Sequence, residues 1–164
     1  MTKKTILWAG VLAGILALLP VLPAVCIEDA TENRLLAAFP ASESQAFHIS
    51  FRHSVNRTEV REYYEVRQGT LYLVRAEYSS FGAGMPEVPE RPGSTLESRD
   101  GVLLLDGINQ PMDSFVYRVG VVAGHTLVIG PRQIPLTALA PAQTALRFTR
   151  RPVSLIVLLR RPIP

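Results

Sequence analysis

The sequence predicts an all-β protein, an antiparallel β-sandwich or partly closed barrel of about eight or nine short strands behind an apolar N-terminal export or anchor helix. Three observations support this fold class. Short runs alternate apolar and polar residues, as half-buried strands do. Turn signals separate these runs roughly every 8–12 residues. Beyond residue 27, no long run has the period of an amphipathic helix.

Composition narrows the functional classes. The chain has 164 residues, enough for one domain with a hydrophobic core. Its 17 basic residues include Lys3 and Lys4, which leaves 15 arginines against 14 acidic residues in the rest of the chain. This near balance, without a basic cluster among aromatic residues, argues against nucleic-acid binding. Cys26 is the only cysteine, which excludes an intramolecular disulfide, a cysteine-based metal site and a redox pair.

Residues 1–26 are predicted to direct export. Two lysines precede an uncharged run, Thr5–Ile27, that reaches the roughly 20 residues needed to cross a bilayer. Acidic residues follow this run, so the remainder should lie outside the cytoplasm. Three fates are open: cleavage as a signal peptide after Cys26, retention as a single-pass membrane anchor and, least favoured, lipidation of Cys26. Residues 27–164 would then form one β-rich domain, periplasmic or anchored to the outer face of the inner membrane.

The segment from residue 47 to residue 66 is predicted to be a β-hairpin. Phe47–Val55 and Val60–Val66 each alternate, with one mainly apolar face. A two-residue Asn56-Arg57 loop places the apolar residues of both strands on one face, whereas an odd loop would not. In that register His53 opposes Val60, and Glu62 is its diagonal neighbour on the apolar face.

A third strand, Thr70–Tyr78, follows the Gln68-Gly69 turn and would bring Arg75 opposite Glu62. We therefore predict a polar row of His53, Glu62 and Arg75 across three strands, because a buried carboxylate requires a partner. One interpretation is a buried charge network that fixes strand register. The other is the lining of a pocket that binds a ligand carboxylate or handles a proton. Ser54 adjoins His53 but points to the opposite face, so the two do not form a catalytic pair.

A glycine loop, residues 81–86, is the second candidate element. Gly82 and Gly84 permit positive φ and close backbone approach. Their N–H groups could form a nest for an anion. The loop lacks the Lys-Ser/Thr ending of a phosphate-binding loop. The alternative interpretation is a tight turn that packs against the sheet.

The remaining chain is predicted to form further short strands. Residues 28–46 contain either one turn of amphipathic helix or an edge strand at Arg34–Phe39, and residues 134–139 form a short strand or a helical turn. Val153–Leu159 is almost wholly apolar and is assigned to the sheet interior. The other predicted strands are Val102–Leu105, Ser114–Val122, His125–Ile129 and Ala145–Thr149.

No catalytic motif is present. The sequence has no G-x-S-x-G elbow, H-E-x-x-H helix or Walker A loop. His48 falls on a polar strand face and should be solvated, and His125 should be a turn residue. A metal site from His53, Glu62 and His125 would form only if the fold brought residue 125 beside the hairpin. The sequence therefore predicts no enzyme activity, metal or cofactor.

The segment from residue 47 to residue 86 resembles the DUF1850 family of small bacterial proteins of unknown function. That family's pattern reads HSVE-x-TPV-x-E, followed by S-x-GAGLP. This chain departs from it at Asn56, where an acidic residue is usual, and at Glu59, where a proline is usual. The matching residues are His53, Ser54, Val55, Glu62, Gly82, Gly84 and Pro86.

The resemblance implies a link to solute transport. Members are often encoded beside TAXI-type permeases of TRAP transporters, which take up small organic acids and similar solutes. The first functional hypothesis is therefore a membrane-exported, nonenzymatic protein that binds ligand or permease subunits. The second is an enzyme that acts on a small acid through a His53–Glu62 acid–base pair. The third is a purely structural module of the envelope. The candidate binding residues are His53, Ser54, Glu62, Arg75, Gly82 and Gly84.

Overall fold

The computed structural model describes residues 3–79 and 91–160, which form eleven strands and two α-helices. The helices are α1 (Lys3–Leu18) and α2 (Leu155–Leu159). The strands are β1 (Leu22–Asp29), β2 (Arg34–Pro40), β3 (Ala46–Arg52), β4 (Glu59–Arg67), β5 (Thr70–Tyr78), β6 (Thr95–Arg99), β7 (Val102–Met112), β8 (Ser114–Arg118), β9 (Thr126–Ile129), β10 (Arg132–Pro135) and β11 (Ala145–Val153). A 3₁₀ turn, Leu136–Ala138, follows β10.

The strands form two antiparallel sheets that enclose a shared core. The smaller sheet has the order β2-β1-β11-β8, and the larger has the order β10-β9-β3-β4-β5-β7-β6. Val25 and Phe148 from the smaller sheet meet Ile49 and Leu127 from the larger one, all without solvent exposure. The predicted antiparallel all-β architecture is confirmed, and the described strands form open sheets rather than a closed barrel.

β1 is a central strand of the smaller sheet. It pairs with β11 on one side and β2 on the other. Ala24, Val25 and Cys26 are fully buried there. Residues 26 and 27, on either side of the predicted boundary, therefore both lie in β1. Processing of the N-terminus stays a prediction.

The apolar N-terminal segment is shorter as a helix than the sequence predicts. α1 ends at Leu18, two residues before Pro20, and the chain enters β1 at Leu22. Proline disrupts a helix interior because it removes a backbone donor and clashes with the preceding turn. Among the described residues, no helix is both long enough and apolar enough to cross a membrane.

The hairpin of β3 and β4 has the predicted faces but a different register. Phe51 opposes Val60 and Ile49 opposes Glu62, a shift of two residues from the prediction. The connection is a four-residue loop, closed by the His53 N–H donating to the Thr58 carbonyl at 2.8 Å. An even shift keeps every side chain on its face, because the side-chain period of a strand is two.

The predicted row of His53, Glu62 and Arg75 is wrong, although the two-residue Gln68-Gly69 loop is correct. A β-bulge at Val74 shifts the β4–β5 register, so that Arg75 opposes Tyr63 and Ala76 opposes Glu62. An extra residue in one strand moves the following side chains to the other face. The bulge thus places Arg75 on the outer face of the larger sheet.

The C-terminal region also corrects the sequence analysis. β11 continues through Pro152 to Val153, and the residues assigned to an interior strand form the short helix α2 instead. A run of apolar residues this short does not distinguish strand from helix by periodicity. For residues 28–46, the edge-strand alternative is confirmed as β2.

Candidate binding cleft

The predicted site residues do not converge. His53 and Ser54 line a cleft at one end of the sandwich. Glu62 lies on the inner face of the larger sheet, and Arg75 lies on its outer face. Gly82 and Gly84 lie outside the described residues.

Glu62 is held by two tyrosines rather than by His53 or Arg75. The Tyr64 hydroxyl donates to Glu62 Oε2 at 2.9 Å, and the Tyr117 hydroxyl donates to the same oxygen. The two hydroxyl oxygens are 3.0 Å apart. Burial raises the pKa of both tyrosines far above the ordinary value, so both remain neutral donors. Because Tyr117 belongs to β8, this cluster joins the two sheets across the core.

His125 lies beside this cluster. Its ring packs against Phe51 and Tyr117, with centroid separations of 5.2 and 5.4 Å. Its Nδ1 atom is buried without a hydrogen-bond partner among the described residues, and burial lowers the pKa of the imidazole. His125 thus packs against core aromatic side chains from a position between the turn that ends at Gly124 and the start of β9.

The structure does not assemble the metal site considered from the sequence. Within residues 3–79 and 91–160, no group of three His, Cys, Asp or Glu side chains is placed to hold a metal ion. Glu62 is engaged by the tyrosines, and His53 lies in the β3–β4 loop region. These positions provide no shared point of coordination for His53, Glu62 and His125.

The outer face of the larger sheet has a shallow cleft of about 400 Å³ at the bulge. Arg75 Nη2 lies 2.9 Å from Asp106 Oδ2, and its guanidinium lies 5.9 Å from the Tyr63 ring centroid. The Arg75 partner lowers the pKa of the Asp106 carboxyl. Nearby, Arg67 pairs with Glu65 at 2.7 Å. Each of these cations has an acidic partner, so the described lining of this cleft has no unpaired charge for an ionic ligand.

The cleft at the end of the sandwich has a different electrostatic character. It has a volume of about 550 Å³ and adjoins a second cavity of about 350 Å³. Arg52, Arg57 and Ala123 line both cavities. We call this combined space the basic cleft. The other lining residues are Ser50, Phe51, His53, Ser54 and Glu59, together with Gly120, Val121, Val122, Gly124 and Gln143.

Local backbone geometry forms the two walls of the basic cleft. Arg57 adopts a left-handed conformation with φ of 55°, which closes the loop between β3 and β4. Gly124 has φ of 60° in the opposite wall, a conformation that glycine adopts without steric cost. The Arg52 N–H donates to the Ala123 carbonyl at 2.7 Å and so ties this wall to the end of β3.

Among the described residues, the two arginines of the basic cleft have no acidic partner. Arg52 Nε donates to the Arg57 carbonyl at 2.8 Å, which positions the Arg52 guanidinium at the loop. Neither guanidinium forms a salt bridge with a carboxylate in the part of the chain that the structure describes. Glu59 also lines the cleft, but its carboxylate binds Arg61 at 2.7 Å. An anion entering the cleft would therefore meet two available cations.

His53 and Ser54 add further hydrogen-bonding groups. His53 Nδ1 accepts the Asn56 N–H at 3.4 Å, which leaves Nε2 of the ring to donate. The opposite wall presents the aliphatic side chains of Val121 and Val122, which are 70% and 89% exposed. The basic cleft thus combines donors suited to a carboxylate with an aliphatic surface.

The sequence analysis identified two of the residues that line the basic cleft. It selected His53 and Ser54, but treated Arg52 as a polar-face residue and Arg57 as a turn residue. The available signal was two arginines within six residues, flanking the His-Ser pair. The wall from Gly120 to Gly124 was not recognisable, because only the β3–β9 pairing brings it beside the hairpin.

The architecture and cleft define an antiparallel two-sheet β protein with a basic cavity between end loops. Residues 47–136 match the family model described as "Domain of unknown function (DUF1850)". Since this match covers more than half of the chain, the protein belongs to the DUF1850 family. Comparison with curated proteins and with solved structures gave no match. The matched range contains every lining residue of the basic cleft except Gln143.

Proposed function

We propose that this chain is an exported, nonenzymatic accessory protein that binds a small organic anion in the basic cleft and assists solute uptake by a TRAP-type permease. The observation that supports binding is the pair Arg52 and Arg57, which lines a cavity without an acidic partner among the described residues. The link to uptake rests on the genetic neighbourhood implied by the DUF1850 resemblance. Export rests on the lysines and apolar run at the N-terminus.

A carboxylate is the ligand group that best fits these donors. Arginine presents paired N–H groups that match the two oxygens of a carboxylate, and such charge-assisted hydrogen bonds are stronger than neutral ones. His53 and Ser54 can donate to the same group or to a neighbouring hydroxyl. A short hydrocarbon chain would then lie along Val121 and Val122. The expected ligand is a small organic acid with a polar end and an apolar body.

The arrangement favours binding over the alternative of acid–base catalysis. That alternative requires His53 and Glu62 to act as a pair. In the structure Glu62 accepts hydrogen bonds from Tyr64 and Tyr117 in the interior, whereas His53 lines the basic cleft. The third alternative, a purely structural module, predicts that the cleft binds no organic acid.

Isothermal titration of the full-length chain in mild detergent tests the binding step. A panel of aliphatic monocarboxylates, hydroxy acids and dicarboxylates should identify at least one ligand whose affinity decreases with salt, because screening weakens exposed charge interactions. Arg57→Gln should weaken that ligand about tenfold or more, since a hydrogen bond to a charged group contributes roughly 1.5–3 kcal/mol. Glutamine removes the guanidinium charge and keeps an uncharged polar side chain at this left-handed position.

Arg99→Gln is the matched control. Arg99 is an exposed arginine on β6 that pairs with Glu97 at 2.8 Å, remote in sequence from the basic cleft. Its replacement should leave affinity unchanged. Absence of binding across the panel, or equal losses in the two variants, would overturn the assignment of the cleft.

Uptake measurements test the transport step separately. Deletion of the gene should reduce accumulation of the identified acid, and the wild-type chain should restore it. Arg57→Gln should restore it poorly although the protein reaches its normal level. If deletion leaves uptake unchanged while purified protein still binds the acid, the transport role is refuted and the binding role is retained.

A further inference from the structure

We propose that α2 and the adjoining exposed side of α1 form one surface that rests in the headgroup region of a lipid bilayer containing anionic lipids. This surface is distinct from the basic cleft, and its assignment does not depend on the proposed ligand. We call it the helical apolar surface. It consists of Trp8, Leu12, Ile15, Leu16, Leu155, Ile156 and Leu159.

α2 has no polar side chain on any side. Its sequence is Leu-Ile-Val-Leu-Leu, residues 155–159. Val157 and Leu158 pack against a small cluster on the outer face of the smaller sheet, which includes Ala24, Cys26, Ala38 and Val153. The opposite side remains open, with Leu155 and Leu159 exposed by 42% and 72%. A helix that is apolar all round normally lies in a protein core or in a membrane.

α1 extends this apolar surface. α1 contacts α2 directly, and Leu12 and Leu16 are both more than half exposed. Trp8 is also exposed, and tryptophan is enriched at the membrane–water interface because its ring is apolar and its N–H is polar. Large contiguous apolar patches are rare on monomeric soluble proteins and mark sites of protein or membrane interaction. The surface therefore requires a nonaqueous partner.

The charge beside α2 favours a lipid surface as that partner. From residue 145 to residue 164, the sequence contains five arginines and neither Asp nor Glu, and one of them, Arg151, pairs with Glu28 of β1 at 2.6 Å. Arg160 follows α2 directly, so a cation lies next to the exposed leucines. Basic residues near an anionic leaflet each contribute about 1 kcal/mol to membrane binding. A second copy of the chain is less favourable, because it would bring two such arginine-rich segments together.

Binding of the helical apolar surface to a bilayer would set the orientation of the domain. α2 lies over the outer face of the smaller sheet, so that sheet would face the bilayer. The larger sheet, with Arg75 and Asp106 on its outer face, would face away from it. The basic cleft would open at an end of the sandwich rather than into lipid.

Site-specific fluorescence tests this proposal. Leu159→Cys, in the full-length chain, is labelled with an environment-sensitive nitrobenzoxadiazole dye and bound to phosphatidylethanolamine vesicles with or without phosphatidylglycerol. Cys26 should not react in the folded protein, because it is fully buried and burial raises the pKa of its thiol to about 11. Val55→Cys is the matched control, since Val55 is an exposed valine in the β3–β4 loop.

The expected result is that the dye at residue 159 has a blue-shifted emission and is quenched by spin-labelled lipids. The dye at residue 55 should keep the emission it has in water. Arg160→Gln should reduce the dependence on phosphatidylglycerol without changing the position of the dye. Emission at residue 159 that matches residue 55 would overturn the proposal. So would a blue shift that lipid-borne quenchers do not reach, because this would indicate coverage by a second copy or another protein.

Discussion

Removal of residues 1–26 should abolish the folded state, although the sequence places these residues in an export segment. This truncation deletes Leu22 to Cys26, five of the eight residues of β1. A shorter truncation, which removes only residues 1–20, deletes α1 and leaves β1 intact. The two proteins therefore differ by the first part of a central strand.

The expected cost follows from the burial of that strand. Val25 has no solvent exposure, and burial of such a side chain contributes about 1.5–3 kcal/mol. Ala24, Val25 and Cys26 are paired to β2 and β11 simultaneously, so their loss exposes both neighbours. Each buried backbone group left unpaired costs about 1–3 kcal/mol. The summed cost of a few such groups exceeds the lower end of the typical free energy of unfolding, which is about 5–15 kcal/mol.

Circular dichroism and thermal unfolding of the two truncated proteins provide the assay. The protein from residue 21 should unfold cooperatively, whereas the protein from residue 27 should be unfolded or aggregated, because the edges of β2 and β11 become available for pairing. Similar cooperative transitions in both would refute the assigned role of β1. The intact mass of the native protein provides a further check, because it should show that the chain is not cleaved after Cys26.

Four further substitutions test the interior cluster and the turn at Gly107. Glu62→Gln and Tyr117→Phe should each lower the free energy of unfolding by about 1–3 kcal/mol, and a double-mutant cycle in urea should show coupling of at least about 0.5 kcal/mol; additive effects would contradict the cluster. His125→Phe should abolish part of the pH dependence of the melting temperature. Burial lowers the pKa of His125 in the folded protein below the ordinary value of 6.5. The free energy of unfolding should therefore be unaffected by this group above pH 6.5 and should decrease as the pH falls from 6.5 toward the lowered pKa. An unchanged pH profile would refute this account. Gly107→Ala should destabilise by about 1–3 kcal/mol, because φ is 70° and a Cβ would lie 2.9 Å from the Gly93 carbonyl oxygen; an unchanged denaturation midpoint would exclude this strain.

The β3–β4 hairpin shows what periodicity can specify. Alternation placed Phe51 and Glu62 on the same face, and the structure confirms this. It did not fix the loop length, because a shift of two residues satisfies the same pattern. The selection between registers depends on contacts along the whole strand, including the pairing of Ile49 with Leu127 of β9.

The candidate site illustrates a further limit. His53 and Ser54 were identified as binding candidates from the sequence and do line the basic cleft. Arg75 was assigned to the same site, but the bulge at Val74 directs it to the other face of the sheet. No residue-type signal in this strand identifies the bulge, since Val74 is an ordinary strand residue.

The sequence by itself determined the all-β antiparallel class, the two-residue turn at Gln68-Gly69 and the apolar nature of both chain ends. These properties follow from local preferences: side-chain alternation, turn chemistry and hydropathy. The tertiary structure alone decided that residues 22–26 enter a sheet, that Tyr117 rather than His53 binds Glu62, and that Val121 and Arg57 line the same cleft. Each of these outcomes joins segments distant in the sequence, and local patterns contain no information about which distant strands share a core.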